Sequence, residues 1–128
     1  MQSSWQFIKH PLHGALDLVV DVTLSGLAVA AWWTGASPAA VALPAIIAVA
    51  NLSYSAMTTY ALGRRHLISF RAHLALDAVA GALLVAGGAA LPESDLYRLA
   101  MLAMGVGILG AVVLTDPNVD PPAKTAET

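Results

Sequence analysis

Two histidines in this chain are each followed four residues later by an aspartate: His13 with Asp17, and His73 with Asp77. At that spacing on a helix the two side chains share one face and can touch. Asp21 lies one further turn along the face that carries Asp17. Imidazole beside carboxylate suits three kinds of chemistry. It can form a self-satisfied hydrogen-bonded pair, it can ligate zinc, iron or manganese, and it can pass protons through a membrane. The two histidines can also ligate a haem or a chlorophyll from opposite helices.

The surroundings of these residues are apolar. Of 128 residues, 58% are hydrophobic and 11% charged, against about 25% charged in ordinary soluble domains; mean hydropathy is +0.71. A soluble domain of this size cannot hide that much apolar surface, so the chain is expected to be an integral membrane protein. The net charge of −2 offers no basic surface for nucleic acid. The absence of cysteine excludes disulfides, thiolate metal sites and covalently attached haem.

Four apolar stretches are each near the 20 residues that cross a bilayer core, and the expected fold is an all-α, transmembrane four-helix bundle. Residues 1–11 mix Trp5 and Phe7 with Lys9 and His10, as an interfacial segment does. The first span is read as Leu12 to Trp33, with Pro11 in its first turn and Trp32 and Trp33 at the far interface. Ala28-Val-Ala30 resembles a signal-peptide cleavage site, but the run is long for such a peptide and holds two aspartates. The second span, Ala39 to Leu62, carries Pro44, for which a mild kink is expected, then Asn51, Ser53, Tyr54, Ser55, Thr58 and Thr59. Gly63 to Arg71 forms a basic loop. The third span is Ala72 to Leu91, Ser94 is placed to cap the next helix, and the fourth span is Leu96 to Leu114. Residues 115–128 read as a disordered polar tail.

Lys9, Arg64, Arg65, Arg71 and Lys124 fall on one side and Arg98 on the other, which predicts cytoplasmic termini by the positive-inside rule. His10 and His66, beside Lys9 and Arg65, are expected at anionic headgroups. The ionisable residues therefore enter the membrane from one side. Asn51 reaches a depth near Asp21, about 16 Å in from the end of its helix. The expected interior polar cluster is His13, Asp17, Asp21, Asn51, His73 and Asp77, joined by Thr58, with His13, Asp17, His73 and Asp77 as the candidate metal ligands.

At an offset of sixty residues His13, Ala15, Leu16, Asp17 and Val19 match His73, Ala75, Leu76, Asp77 and Val79. Two copies of a two-span unit, 12–62 and 72–114, are expected to run parallel about an axis along the membrane normal. Small residues every four positions, Ala78, Ala82, Ala86 and Ala90 in the third span and Ala103, Gly107 and Ala111 in the fourth, are expected to be close-packing stripes.

A His-x-x-x-Asp helix start, an apolar span with Trp or Pro at its far end, and a second copy resemble the SPW-repeat family of small bacterial membrane proteins over about residues 9 to 115. Where that family has Ser-Pro-Trp, this chain has Ala31-Trp32-Trp33 and Ala90-Leu91-Pro92. The resemblance implies a duplicated four-span architecture and carries no settled activity. The role expected from the sequence is a non-enzymatic structural or accessory subunit of the bacterial inner membrane, partnered by lipids and by other membrane subunits or itself. A metal, haem or pigment site is the alternative, and proton or solute transport the next. No cofactor is specified by the sequence.

Overall fold

The computed structural model describes residues 5–58 and 67–118. It is an all-α bundle of α1 (His10–Trp33), α2 (Pro38–Met57), α3 (Phe70–Ala90) and α4 (Asp95–Leu114). Each helix is long and apolar enough to cross a membrane; at 1.5 Å per residue, 20 residues cover about 30 Å. The chain is thus built as a multi-pass membrane protein. The end of the second span beyond residue 58, Arg64, Arg65 and His66 of the basic loop, and residues 119–128 with Lys124 lie outside the described residues.

Three helices start on a serine whose side chain replaces a missing intrahelical partner. Ser37, Ser69 and Ser94 accept from the amides of Ala40, Ala72 and Tyr97 at 3.2, 3.2 and 3.3 Å. α1 starts instead with Pro11 in its first turn. α2 continues through Pro44 to Met57. The α1–α2 turn passes through Gly35 at φ +72°, a conformation glycine adopts without a Cβ clash.

Burial follows the ionisable faces. α1 buries His13, Asp17, Asp21, Leu24, Ala28 and Ala31, and α3 buries His73, Asp77, Gly81, Leu84 and Gly88. Val22, Val29, Ile46, Val49, Leu83 and Val106 face outward. Charge inside and large aliphatic side chains outside is the arrangement that lipid as solvent favours. The half of the bundle near the α1–α2 and α3–α4 turns is filled by Leu24, Ile47, Leu84 and Met101. That end is tied by Tyr97, whose hydroxyl donates to Ala40 O at 2.7 Å, and by Glu93, which accepts from Ser37 N–H at 3.1 Å.

α1 packs most closely on α2 and α3 on α4, while the α1–α4 seam is the loosest between neighbours. The small-residue stripes expected from the sequence are not the packing faces. Ala82, Ala86, Ala90, Ala103 and Gly107 are exposed. The α3–α4 approach is made by Gly81 and Gly105: a Cβ on Gly105 would fall 2.6 Å from Gly81 O and 2.8 Å from Val85 N. The reason is rotational. Turning His73 and Asp77 inward brings Gly81 and Gly88 to the interface, because they lie on the same face one and three turns further on, and carries the alanine stripe away from it.

Gly105→Ala is expected to lower stability by about 1–3 kcal/mol through backbone overpacking, reversing the usual helix-favouring effect of alanine. Gly107→Ala, whose Cβ meets nothing within 4 Å, serves as the control. Thermal unfolding of the two variants in detergent, followed by circular dichroism, checks this.

Candidate metal centre

His13, Asp17, His73 and Asp77 meet in the bundle interior, each at most 7% exposed. One ligating atom from each lies within 4.8 Å of the others. The shortest contacts run between helices. His13 Nε2 is 3.0 Å from Asp77 Oδ2, and His73 Nε2 is 3.1 Å from Asp17 Oδ2. The pairs within one helix are longer, 3.5 Å for His13–Asp17 and 3.2 Å for His73–Asp77. A self-contained pair on each helix, one of the sequence expectations, therefore gives way to a crossed quartet in which each carboxylate serves both histidines.

Each imidazole is oriented from behind by a threonine. Thr58 Oγ1 donates to Tyr54 O, and Thr115 Oγ1 to Ala111 O, both at 2.6 Å. Each hydroxyl has one hydrogen and has spent it on its own helix. At 2.9 Å from His73 Nδ1 and His13 Nδ1, the threonine oxygens can only accept. Both Nδ1 atoms therefore carry the proton, and both Nε2 atoms point at the carboxylates. This backing of the ring nitrogen is what fixes tautomer and ring orientation in histidine metal sites.

With Nδ1 protonated and Nε2 bare on each ring, two ionised carboxylates and two neutral imidazoles sum to −2. Inside a bilayer that charge needs two extra protons, one for each Nε2–carboxylate contact, or one divalent cation. The three shortest contacts, 3.0, 3.1 and 3.2 Å, lie near the ligand–ligand edge of about 3.3 Å for a tetrahedral ion with bonds of 2.0–2.1 Å.

Other polar groups complete the shell. Tyr54 donates to Asp77 Oδ1 at 2.6 Å, and Ser55 to Asp17 Oδ2 at 3.4 Å. Asp21 stands apart from the four: it accepts from Asn51 Nδ2 at 2.9 Å, and the same amide reaches Asp17 O at 3.5 Å. The polar cluster expected from the sequence thus divides into a quartet and an Asp21–Asn51 pair one turn deeper.

Toward the termini the quartet is roofed by Phe70, 1% exposed. Its ring lies 5.4 Å from that of His13 and 5.9 Å from that of His73. His10, assigned to headgroups from the sequence, sets its ring 4.4 Å from Phe70. Backbone clasps hold this end: Ile8 N–H donates to Leu114 O and Asp116 N–H to Ile8 O, both at 3.1 Å, and Ile68 N–H donates to Met57 O at 3.1 Å. Residues 115–118, read from the sequence as the start of a tail, are part of the centre's support. Thr115, Tyr54 and Ser55 belong to the candidate site but not to the polar cluster expected from the sequence. A usable signal was a threonine closing each second span, Thr58 and Thr115.

Asp116 lies outside the spans. The Asn118 amide donates to it at 3.0 Å and Lys9 Nζ at 2.9 Å, which hold its carboxyl below the usual carboxylate range, the Asn118 amide contributing most. Searches for a matching protein-family model, curated protein or solved structure find none.

Thr58→Val and Thr115→Val each leave a buried imidazole N–H without its acceptor, an expected cost of about 1–3 kcal/mol. Thr23→Val, at a lipid-facing hydroxyl that only bonds back to Val19 O, is expected to change stability by less than about 0.5 kcal/mol. Unfolding midpoints of the three variants rank them.

Because the folded pKa of Asp116 lies below the unfolded value of about 3.9, its clasp contributes fully above that value. The contribution is lost as pH falls through the lowered one. Protection of the Ile8 amide against hydrogen exchange, corrected for intrinsic rate, should stay level above about pH 4 and decline below it. Asp116→Asn should remove the decline.

Proposed function

We propose that this is a metal-binding membrane protein, in which His13, Asp17, His73 and Asp77 hold one divalent first-row transition ion, with zinc the best match to a closed nitrogen and oxygen set. The observation that carries it is the pair of threonine-backed histidines whose Nε2 atoms converge with two carboxylates. The set supplies the charge of −2 that a divalent ion neutralises, so the filled centre costs little in a low dielectric. Four protein ligands leave no open coordination position, which favours a structural over a catalytic ion and fits a non-enzymatic role.

A structural or accessory role in a larger membrane assembly is the second reading. It is favoured by the way the centre joins all four spans: ligands from α1 and α3, Tyr54 and Thr58 from the end of α2, and Thr115 from the end of α4. The two readings are compatible, with the ion as the clasp. The duplication, the SPW-repeat relationship, placement in the bacterial inner membrane and cytoplasmic termini belong to the same proposal. They rest on the offset match of the two halves and on the distribution of Lys and Arg.

Protein purified in mild detergent after growth with zinc should hold one zinc ion per chain by elemental analysis. Asp17→Asn with Asp77→Asn should empty the site, and Thr58→Val should weaken binding about 10–100-fold, as loss of an outer-shell partner does. A wild-type protein that takes up no zinc, iron or manganese and whose unfolding is indifferent to chelator would leave the two-proton quartet as the correct description.

A further inference from the structure

We infer that the bundle binds a neutral, membrane-dissolved molecule with a hydroxyl headgroup, in a cavity that opens sideways into the bilayer between α1 and α4. The cavity measures about 230 Å³ and runs from the lipid-facing seam to His13, Asp17, Asn51, Tyr54 and Asp77. Its mouth is flanked by Val19 and Thr23 of α1 and by Ala103 and Gly107 of α4, all exposed on the outer surface. A cavity of about 150 Å³ accepts benzene. This one has room for a ring or a short length of chain, the remainder staying in the bilayer.

The cavity exists because two otherwise reciprocal sides of the centre differ at one position. Thr58 backs His73, and four residues before it Tyr54 fills the space beside Asp77. Thr115 backs His13, and four residues before it stands Ala111, which lines the cavity. Ala103, Gly107 and Ala111 are the small-residue stripe of α4. They do not bring a helix close; they keep the seam open.

The chemistry of the inner end selects the ligand. Every side-chain donor on the lining is already engaged. Thr23 donates to Val19 O, Tyr54 to Asp77, His13 Nδ1–H to Thr115, and the Asn51 amide to Asp21 and to Asp17 O. The acceptors on the lining are the carboxylates, the Asn51 amide oxygen and the Tyr54 oxygen. A ligand head must therefore donate. It must also be uncharged, because the centre, neutral once its divalent ion is bound, offers no counter-charge at this depth. In that one respect the inference rests on the metal proposal. An alcohol or phenol on an apolar tail meets both conditions, whereas a carboxylate, an ammonium or an ether does not.

The test uses the full chain in phosphatidylcholine nanodiscs and a diazirine-bearing long-chain alcohol as photoprobe, with adducts mapped by mass spectrometry and zinc measured on the same samples. Labelling is expected on the α1 and α4 walls, displaced by decan-1-ol and about tenfold less well by its methyl ether, which lacks the donor. Gly107→Leu, starting from a position with no neighbour within 4 Å of a Cβ, should abolish site labelling with zinc content unchanged; Ala111→Phe is the second filling variant. Labelling spread evenly over the lipid-facing helices, equal competition by the ether, or wild-type labelling in a filled variant overturns the inference. Confined, alcohol-selective labelling in a protein that takes up no zinc supports the cavity assignment and overturns the metal centre. Zinc at one per chain without confined labelling does the reverse.

Discussion

Four ionisable side chains meeting at one point inside a bilayer-spanning bundle impose a constraint that the rest of the molecule satisfies. An isolated carboxylate at that depth costs several kcal/mol, and replacing lipid by another apolar helix recovers none of it. The cost is offset only where opposite charge and hydrogen-bond donors arrive together. Here they arrive from all four spans: the imidazoles cross to the opposite carboxylates, threonines at the ends of α2 and α4 hold the rings from behind, and Tyr54 and Ser55 cover carboxylate oxygens. Lose one contributor and a buried polar group is left without its partner, which costs more than the bond itself was worth.

The quartet also sets the rotation of α1 and α3 about their axes, and that rotation propagates. On α3 it turns Gly81 and Gly88 toward α4, where the backbones come close enough that Gly105 has no room for a Cβ. On the other side the same rotation leaves Ala103, Gly107 and Ala111 against a loose α1–α4 seam. One seam closes on glycines and the other opens on small residues, so a bundle with a reciprocal centre is asymmetric in its surroundings. A single such cavity follows from that asymmetry, since identical seams would offer either two cavities or none.

Polarity is graded along the bundle axis. The terminal end holds the quartet under Phe70 and the backbone clasps of Ile8 and Ile68. Asp21 and Asn51 follow one turn deeper, and beyond them the interior is mainly apolar to the turns at the opposite end, where the Tyr97 hydroxyl meets Ala40 O. The described interior thus offers a polar chamber roofed by Phe70 at one end and an apolar half at the other. A ligand that entered from the bilayer would meet apolar walls first and acceptors last.

Local composition of the sequence alone establishes four helices long and apolar enough to cross a membrane, and where they lie. Apolar length and the Ser94 cap were readable because helix formation in lipid depends on local composition, and three of the four spans end within two residues of their expected bounds on the described structure. It also determined which residues are costly, since His13, Asp17, His73 and Asp77 are expensive wherever they point. Tertiary structure decided how that cost is met. Spacing alone put His13 with Asp17, yet the closer partner is Asp77, because helix rotation and inter-helix distance are set by packing contacts between residues far apart in sequence. For the same reason Thr115 looked like the first residue of a tail, and the alanine stripe of α3 looked like an interface. A four-residue period says that residues share a face and not which neighbour that face meets; only the packed bundle supplies the neighbour.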